Sequence, residues 1–418
     1  MLFNGHIDHK DCDYVVGWFL KAAQYTFDLD ASFAFVATNS IAQGEQVAHL
    51  WKRLFELNLQ IFFAHRTFLW RNNADNNAGV HCVVIGVNKR SSSSKYIYED
   101  NMLREVRSIS PYLIPGDESF VEVAMRPISE ELPTMNSGNM ARDGGYLILS
   151  ADDANALCTE ASTSANFIKR LVGTKEINQG EYRYCLWIED SQVDEAIRIR
   201  PIASRIDSVR QIRSSSPAKT TNAYARIPHK FAQRCHKNEA SIAVPKTTTG
   251  ESVYITPQIY GSNTVITDLA FVVYPMDLVT FSVISSALHL IWVKTVAGGM
   301  RDGLRYSSQL AYHTFPLPQL TQKSRMDLIG CAENILLIRE AHFPKTIADL
   351  YDRETMPDDL RAAHERNDEV LERIYIGRRF KNDTERLEKL FDLYSKMIAA
   401  EGGKAAKGKA TNKVKAVS

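Results

Sequence analysis

The run VHCVVIGV, Val80 to Val87, restricts the fold more than any other stretch of this chain. It is nearly continuously apolar, rich in β-branched residues and too short for an ordinary helix, so it reads as a fully buried β-strand. Such a strand needs neighbours on its edges and cover on its faces. The residues before it supply candidates. "CDYVVGWFLKAAQYTF" has apolar residues at helical spacing, "SFAFVATNS" is a short strand ending at polar residues, and "LQIFFAH" is the next strand. Ser40 and Gln43 have capping-box spacing and would open the helix "GEQVAHLWKRLFEL". The pattern predicts part of a parallel or mixed α/β sheet covered on both faces. Three strands and two helices make a poor domain on their own. Such sheets bind ligands at the carboxyl ends of their strands, here "ATNS", "FAHRTFLW" and "GVNKR".

Beyond this sheet, "NKRSSSSKY" (Asn88 to Tyr96) reads as a serine-rich linker. Residues 110–318 mix short β-like runs ("GGYLILS", "YRYCLWIED", "ESVYITPQIY", "AFVVYP") with helices such as "FSVISSALHLIWVKTV", an α+β pattern. From Lys323 the spacing becomes that of amphipathic helices, and the end is low-complexity and basic. The 418 residues suffice for two or three domains. The expected division is 1–95, an incomplete α/β sheet; 96–320, an α+β domain; 321–400, helical; and 401–418, a disordered tail. The fold class is α/β plus α+β with a C-terminal helical region.

What is absent narrows the chemistry. The six cysteines form no C-x-x-C, which fits scattered reduced thiols, and no metal site is expected. No apolar run approaches the ~18 residues of a membrane span, and the N-terminus lacks a signal-peptide core, so a soluble, cytoplasmic protein is expected. No two prolines are adjacent, no G-x-G follows a strand, and H-E-x-x-H, G-x-S-x-G and P-loop motifs are missing.

Three segments remain as candidates. Phe68 and Trp70 stand beside Arg66, Arg71 and a loop with four asparagines. Flat rings beside polar groups would stack on an unstacked nucleobase, although the pair also fits a core at a strand end, which composition alone favours. The net charge of +1 hides segregation: from Arg198 to Lys246 there are eleven Lys/Arg against Asp207 and Glu239. Arg205, Arg210 and Arg213 lie near one another on an expected helix, and the interleaved Ser, Thr, Asn and Tyr suit phosphate contacts. Finally, "VAGGMRDGLRYSS" presents Arg301, Asp302 and Arg305 from a glycine-rich turn, where Arg can read guanine and a carboxylate the cytosine amine. An ordinary helix end would look the same.

"FVATNSIAQGEQVAHLW", "FAHRTFLWRNNADNNAGVHCVVIG", "FIKRLVGTKEINQGEYRYCLWI", "LRYSSQLAYHTFPLP" and "IADLYDRETMPDDLRAAHERND" together resemble the C-terminal half of MmeI-like enzymes. These are single-chain type II restriction–modification proteins with an adenine-specific methyltransferase of the γ class. The resemblance runs from about Asp13 to Lys396 and implies a partial Rossmann-like methyltransferase sheet, a target-recognition domain and C-terminal helices. By the family's layout, the endonuclease, the S-adenosylmethionine-binding glycines and the catalytic Asn-Pro-Pro-aromatic motif would precede this sequence. No catalytic residue is therefore expected in it. The resemblance implies that Phe68, with Trp70 as second candidate, stacks on a flipped adenine. It implies that the Arg301–Arg305 loop and the region after Lys246 face double-stranded DNA. It also raises a separate N-terminal methyltransferase or endonuclease polypeptide as partner, with S-adenosylmethionine bound in the intact enzyme and not fully by this chain. The other expectations are a DNA-binding specificity protein without catalysis, and a remnant whose incomplete sheet exposes an edge and an apolar face.

Overall fold

The computed structural model describes residues 12–70, 79–99, 102–248, 253–300 and 303–415, with side chains through residue 400, Met300 excepted. Two compact units divide the chain. One comprises Met1–Leu132, Leu288–Leu320 and Glu372–Ser418; the other comprises Pro133–Ala287 and Thr321–Leu371.

The first unit holds the sheet. Helix α1 (Tyr14–Thr26) buries Val16, Phe19, Leu20 and Ala23, the positions its apolar spacing predicts. The Phe19 ring meets Phe33 and Phe35 of β1 (Phe33–Thr38) at 6.2 and 5.1 Å, and Trp51 of α2 (Gln46–Glu56) at 6.1 Å. The capping box expected at Ser40 does not form. Asn39–Ala42 make a 3-10 turn, Gly44 takes a left-handed φ of 77°, and α2 starts only at Gln46. A left-handed residue cannot continue a helix, so Ser40 is cut off from it. Its hydroxyl donates instead to Asp13 Oδ2 at 2.7 Å.

Strand β2 (Leu59–Trp70) and strand β3 (Val80–Lys89) pair antiparallel, and β1 pairs antiparallel with the other edge of β3. Two further strands extend the sheet: β4 (Lys95–Glu99), parallel to β2, and β5 (Met102–Val106), antiparallel to β4. The order is β1-β3-β2-β4-β5, a mixed sheet. The serine-rich stretch is therefore a short connection inside the sheet and not a linker. Lys95, whose side chain is buried, donates from Nζ to Ser91 O at 2.7 Å, satisfying a carbonyl of that turn.

The register sorts the two faces. Phe33, Phe35 and Ala37 pair with Val87, Ile85 and Val83, and this face carries α1 and α2. Val36, Val84, His65 and Tyr98 share the other face, because Val36 pairs with Val84, Val84 with His65 and His65 with Tyr98. There Val36, Tyr96, Tyr98 and Trp70 are exposed. Among the described residues the sheet is thus covered by helices on one face, where cover on both was expected. Aromatic rings shield part of the open face: Phe63 lies across Gly86, where a Cβ would come within 2.2 Å of the ring.

The second unit has two four-stranded sheets. In one, Gln258–Tyr260, Ser241–Pro245, Ala270–Val273 and Met135–Ser137 pair antiparallel in that order. In the other, Thr264–Ile266 runs parallel to Ile168–Val172, followed by Arg183–Leu186 and Ile148–Leu149. The helix Arg200–Ser215 packs Ile202, Ile206 and Val209 into a core with Leu149, Phe167, Leu171 and Leu186. The helix Gln322–Ala341 lies in this unit and Asp358–Ile376 begins in it, whereas the last helix, Asp383–Lys415, belongs to the first unit. It runs through most of the stretch expected as a disordered tail, where Ala and Lys, both strong helix formers, are frequent. No single described helix is long and apolar enough to cross a membrane.

Candidate nucleic-acid interface

Phe68 and Trp70 lie within β2, not in a loop beyond it. Their orientation depends on a bulge. His65 faces Val84 and Phe68 faces Cys82, so Arg66 and Thr67 together oppose Val83. The extra residue keeps Phe68 and Trp70 on the face of His65. Tyr98, His65, Phe68 and Trp70 then form a lane with successive ring separations of 6.3, 4.9 and 6.4 Å. Phe68 is half-buried within it, while Trp70 is 56% exposed and offers the more accessible ring. Arg71 and the four asparagines lie outside the described residues.

The bulge has a second consequence. Arg66 and Thr67 line a cavity of about 200 Å³ together with Asn39, Tyr112, Lys294 and Thr295. Arg66 is paired with Glu99. Sequence reasoning missed Asn39, Tyr112 and Lys294, since only the fold brings these distant segments together. The cavity is small beside the ~300–1,000 Å³ of sites for drug-sized ligands. It has two cations and no carboxylate in its lining. A sulfonium-bearing cofactor with ribose hydroxyls does not fit there.

The basic segment is largely satisfied internally. Arg205, Arg210, Lys230, Arg234 and Lys237 face Asp153, Asp207, Asp190, Glu189 and Glu239. Three of these acids come from outside the segment, so folding dilutes the excess charge that the sequence shows. Arg234 also stacks on Trp187, its guanidinium carbon 3.7 Å from the ring centre. Arg213 is not at the surface at all. It is fully buried, and its donors reach five carbonyls: Arg142 (2.9 Å), Tyr224 (3.1 Å), Ile227 (2.9 Å), Ala141 (2.8 Å) and Lys230 (2.7 Å). The expectation that Arg213 contacts DNA is corrected: it ties the segments 141–142 and 224–230 to the helix.

Lys246 is anchored too, donating to Ser137 Oγ at 2.8 Å and lying over the Phe271 ring. Arg305 is exposed at the end of the strand Gly303–Arg305, which forms a hairpin with Gly299–Met300; Arg301 and Asp302 lie outside the described residues. Within the basic segment from Arg198 to Lys246, the exposed basic side chains with no acid partner among the described residues are Arg198, Arg200, Lys219 and Arg226. Arg226 lines an open groove with Thr220 and Tyr224. Among the described residues no group of His, Cys, Asp and Glu could hold a metal ion.

Three family models match successive parts of the chain. Residues 1–99 match the MmeI DNA-methyltransferase domain, 115–319 the MmeI target recognition domain, and 321–400 the MmeI C-terminal domain. The chain belongs to the MmeI family. DNA methyltransferase A of Bacillus subtilis (strain 168) is 37% identical over 390 residues, covering 93% of this chain and 44% of the relative. The structure of the type IIL restriction–modification enzyme MmeI in complex with DNA matches with a TM-score of 0.84 at 31% identity. That match covers 95% of this chain and 54% of the MmeI chain. The chain thus spans about half the length of the MmeI-family proteins it matches.

Proposed function

We propose that this chain recognises a DNA sequence and receives the target adenine for a site-specific adenine methyltransferase of a restriction–modification system. The observation that carries this is the target-recognition match over 115–319, framed by a methyltransferase-domain match before it and a C-terminal-domain match after it. The binding of MmeI to DNA supports double-stranded DNA as ligand. Trp70 and Phe68 receive the extruded base by stacking. Arg198, Arg200, Lys219 and Arg226 contact phosphates, with Arg205 and Arg210 contributing less because acids already hold them. Arg301, Asp302 and Arg305 read base edges. S-adenosylmethionine and the group that orients the adenine amine are supplied by residues other than those of this sequence, which contains no adjacent prolines. The test is duplex-DNA affinity as a function of salt, followed by methylation with S-adenosylmethionine. Affinity should fall steeply with salt. Salt-independent binding would remove the basis of the proposal, and methylation by the purified chain alone would contradict the assignment of catalysis elsewhere.

A further inference from the structure

We propose that the cavity behind the β2 bulge is a subsite for one backbone phosphate of DNA, held beside the rings that receive the base. The inference rests on the DNA reading above and adds to it an anion contact within the first unit.

The bulge creates the juxtaposition. It keeps Phe68 and Trp70 on the ring lane, and the two residues it sets against Val83, Arg66 and Thr67, line the cavity. Consecutive residues are about 3.8 Å apart, so the cavity begins one residue from the lane. Its lining is cationic: Arg66 and Lys294 carry the charge, and no carboxylate is present. Arg66 pairs with Glu99 through Nη1, but a guanidinium has five N–H donors in a fixed fork and can serve a second anion. The side chains of Asn39 and Thr67 have no hydrogen-bond partner among the described residues and add two donors. Val83, Leu113 and Ile114 form a buried apolar floor, whereas Thr67 and Lys294 are exposed and mark the mouth. A floor of low dielectric strengthens the pull of both cations on an anion.

Two further features show a site held in shape. The turn Asn39–Ala42 is tied to the end of the helix Ala287–Val296: Gln43 Nε2 donates to Lys294 O at 3.3 Å and Gly44 N to Val296 O at 3.0 Å. These bonds cover carbonyls at a helix C-terminus, the end whose dipole would otherwise repel an anion. Leu113 holds a left-handed φ of 57°, a conformation that bulky residues rarely adopt. Such strain persists where the surroundings enforce one shape, and it collects at ligand sites.

Size selects the occupant. The cavity of about 200 Å³ equals roughly seven water volumes, room for a phosphate group with part of its hydration. A free nucleotide would also have to place its sugar and base. A phosphodiester brings in only its two charged oxygens and leaves the strand outside, where the base can reach the lane.

The test is a cycle between the cavity and single phosphates. The full chain is titrated with duplexes carrying one unpaired adenine, in which a neutral methylphosphonate replaces one phosphate at a time around that adenine. Fluorescence anisotropy reads the affinity. The parent should lose about tenfold at one linkage and little at the others. Lys294→Gln should lose about tenfold on the natural duplex and nothing further at that linkage. Lys294→Arg should keep the sensitivity, and Asn39→Ala should reduce it at the same linkage. Unchanged melting temperatures show that the variants fold. Additive losses at every linkage would make Lys294 a general charge and overturn the proposal. So would a Lys294-dependent rise in melting temperature with inorganic phosphate and no coupled linkage, which would make the cavity a site for free phosphate. Absence of duplex binding by the parent sinks the DNA reading itself, whereas binding without a coupled linkage sinks only the phosphate subsite.

Discussion

Arg213, on the helix Arg200–Ser215, and Trp70, near the end of β2, occupy opposite environments to those their chemistry suggests. The guanidinium is fully buried, and the indole is 56% exposed. Arg213 can be inside because each of its five N–H donors finds a carbonyl, so desolvation is offset group by group. Trp70 is outside because no described element covers its face of the sheet. Polarity alone places neither residue; satisfied donors and available layers do.

The largest expected effect breaks the buried side of that comparison. Arg213→Ala strands five carbonyls in the interior and should destabilise the second unit by at least ~3 kcal/mol. Arg213→Lys keeps the charge but has only three donors, and should fall between. Urea denaturation checks both, and a midpoint unchanged in Arg213→Ala would show that the carbonyls find other partners.

Next in size is a pH effect from buried histidines. His364 accepts from Tyr351 Oη at 2.7 Å through Nε2, and its Nδ1 donates to Ser285 O at 3.0 Å. Burial pushes its pKa down to about 3, below the ordinary 6.5. The unfolded chain therefore binds the proton more readily than the folded one. Stability is full above about pH 6.5 and falls as pH drops toward 3, by up to ~1.4 kcal/mol per pH unit. His289, in the first unit, is pushed by burial to about 3 as well. His364→Gln should flatten the pH slope of the second unit alone. Urea titrations between pH 7 and 5 decide, and an unaltered slope would mean that His364 is not neutral in the fold.

Trp70 tests the exposed side. Trp70→Ala should leave the melting temperature nearly unchanged while costing ~1–3 kcal/mol in affinity for duplexes carrying an unpaired adenine. Phe68→Ala, at a half-buried ring, should lower both. If Trp70→Ala leaves anisotropy-measured affinity intact, the accessible indole is not the stacking surface.

The elements were readable where one pattern decided them. α1, β1 and β3 fall where apolar spacing puts them, and the family resemblance was legible in motifs such as "FAHRTFLW". The buried position of Arg213 was also legible: Ile202, Ile206, Val209 and Arg213 follow helical spacing i, i+4, i+7 and i+11, so the arginine continues an apolar stripe. Attention to charge hid that periodicity. Other features depended on tertiary contacts that no local pattern encodes. The bulge at Arg66 and Thr67 shows only against β3, the acids that neutralise Arg205, Lys230 and Arg234 come from distant segments, and the left-handed turn at Gly44 overrode the capping signal at Ser40.

The smallest expected effect separates two kinds of surface arginine in the second unit. Arg226 is exposed with no acid partner among the described residues, whereas Arg210 is held by Asp207 at 3.0 Å. Counterion release scales with the phosphates a protein neutralises, so a free guanidinium contributes more than one already facing a carboxylate. Arg226→Gln should reduce the slope of log affinity against log salt by about 1. Arg210→Gln should reduce it by less, and both should stay within ~0.5 kcal/mol of the parent in stability, as surface changes usually do. Equal loss of slope would mean that Asp207 releases Arg210 when DNA binds. A larger loss at Arg210 would return the phosphate contacts to the helix where the sequence first placed them.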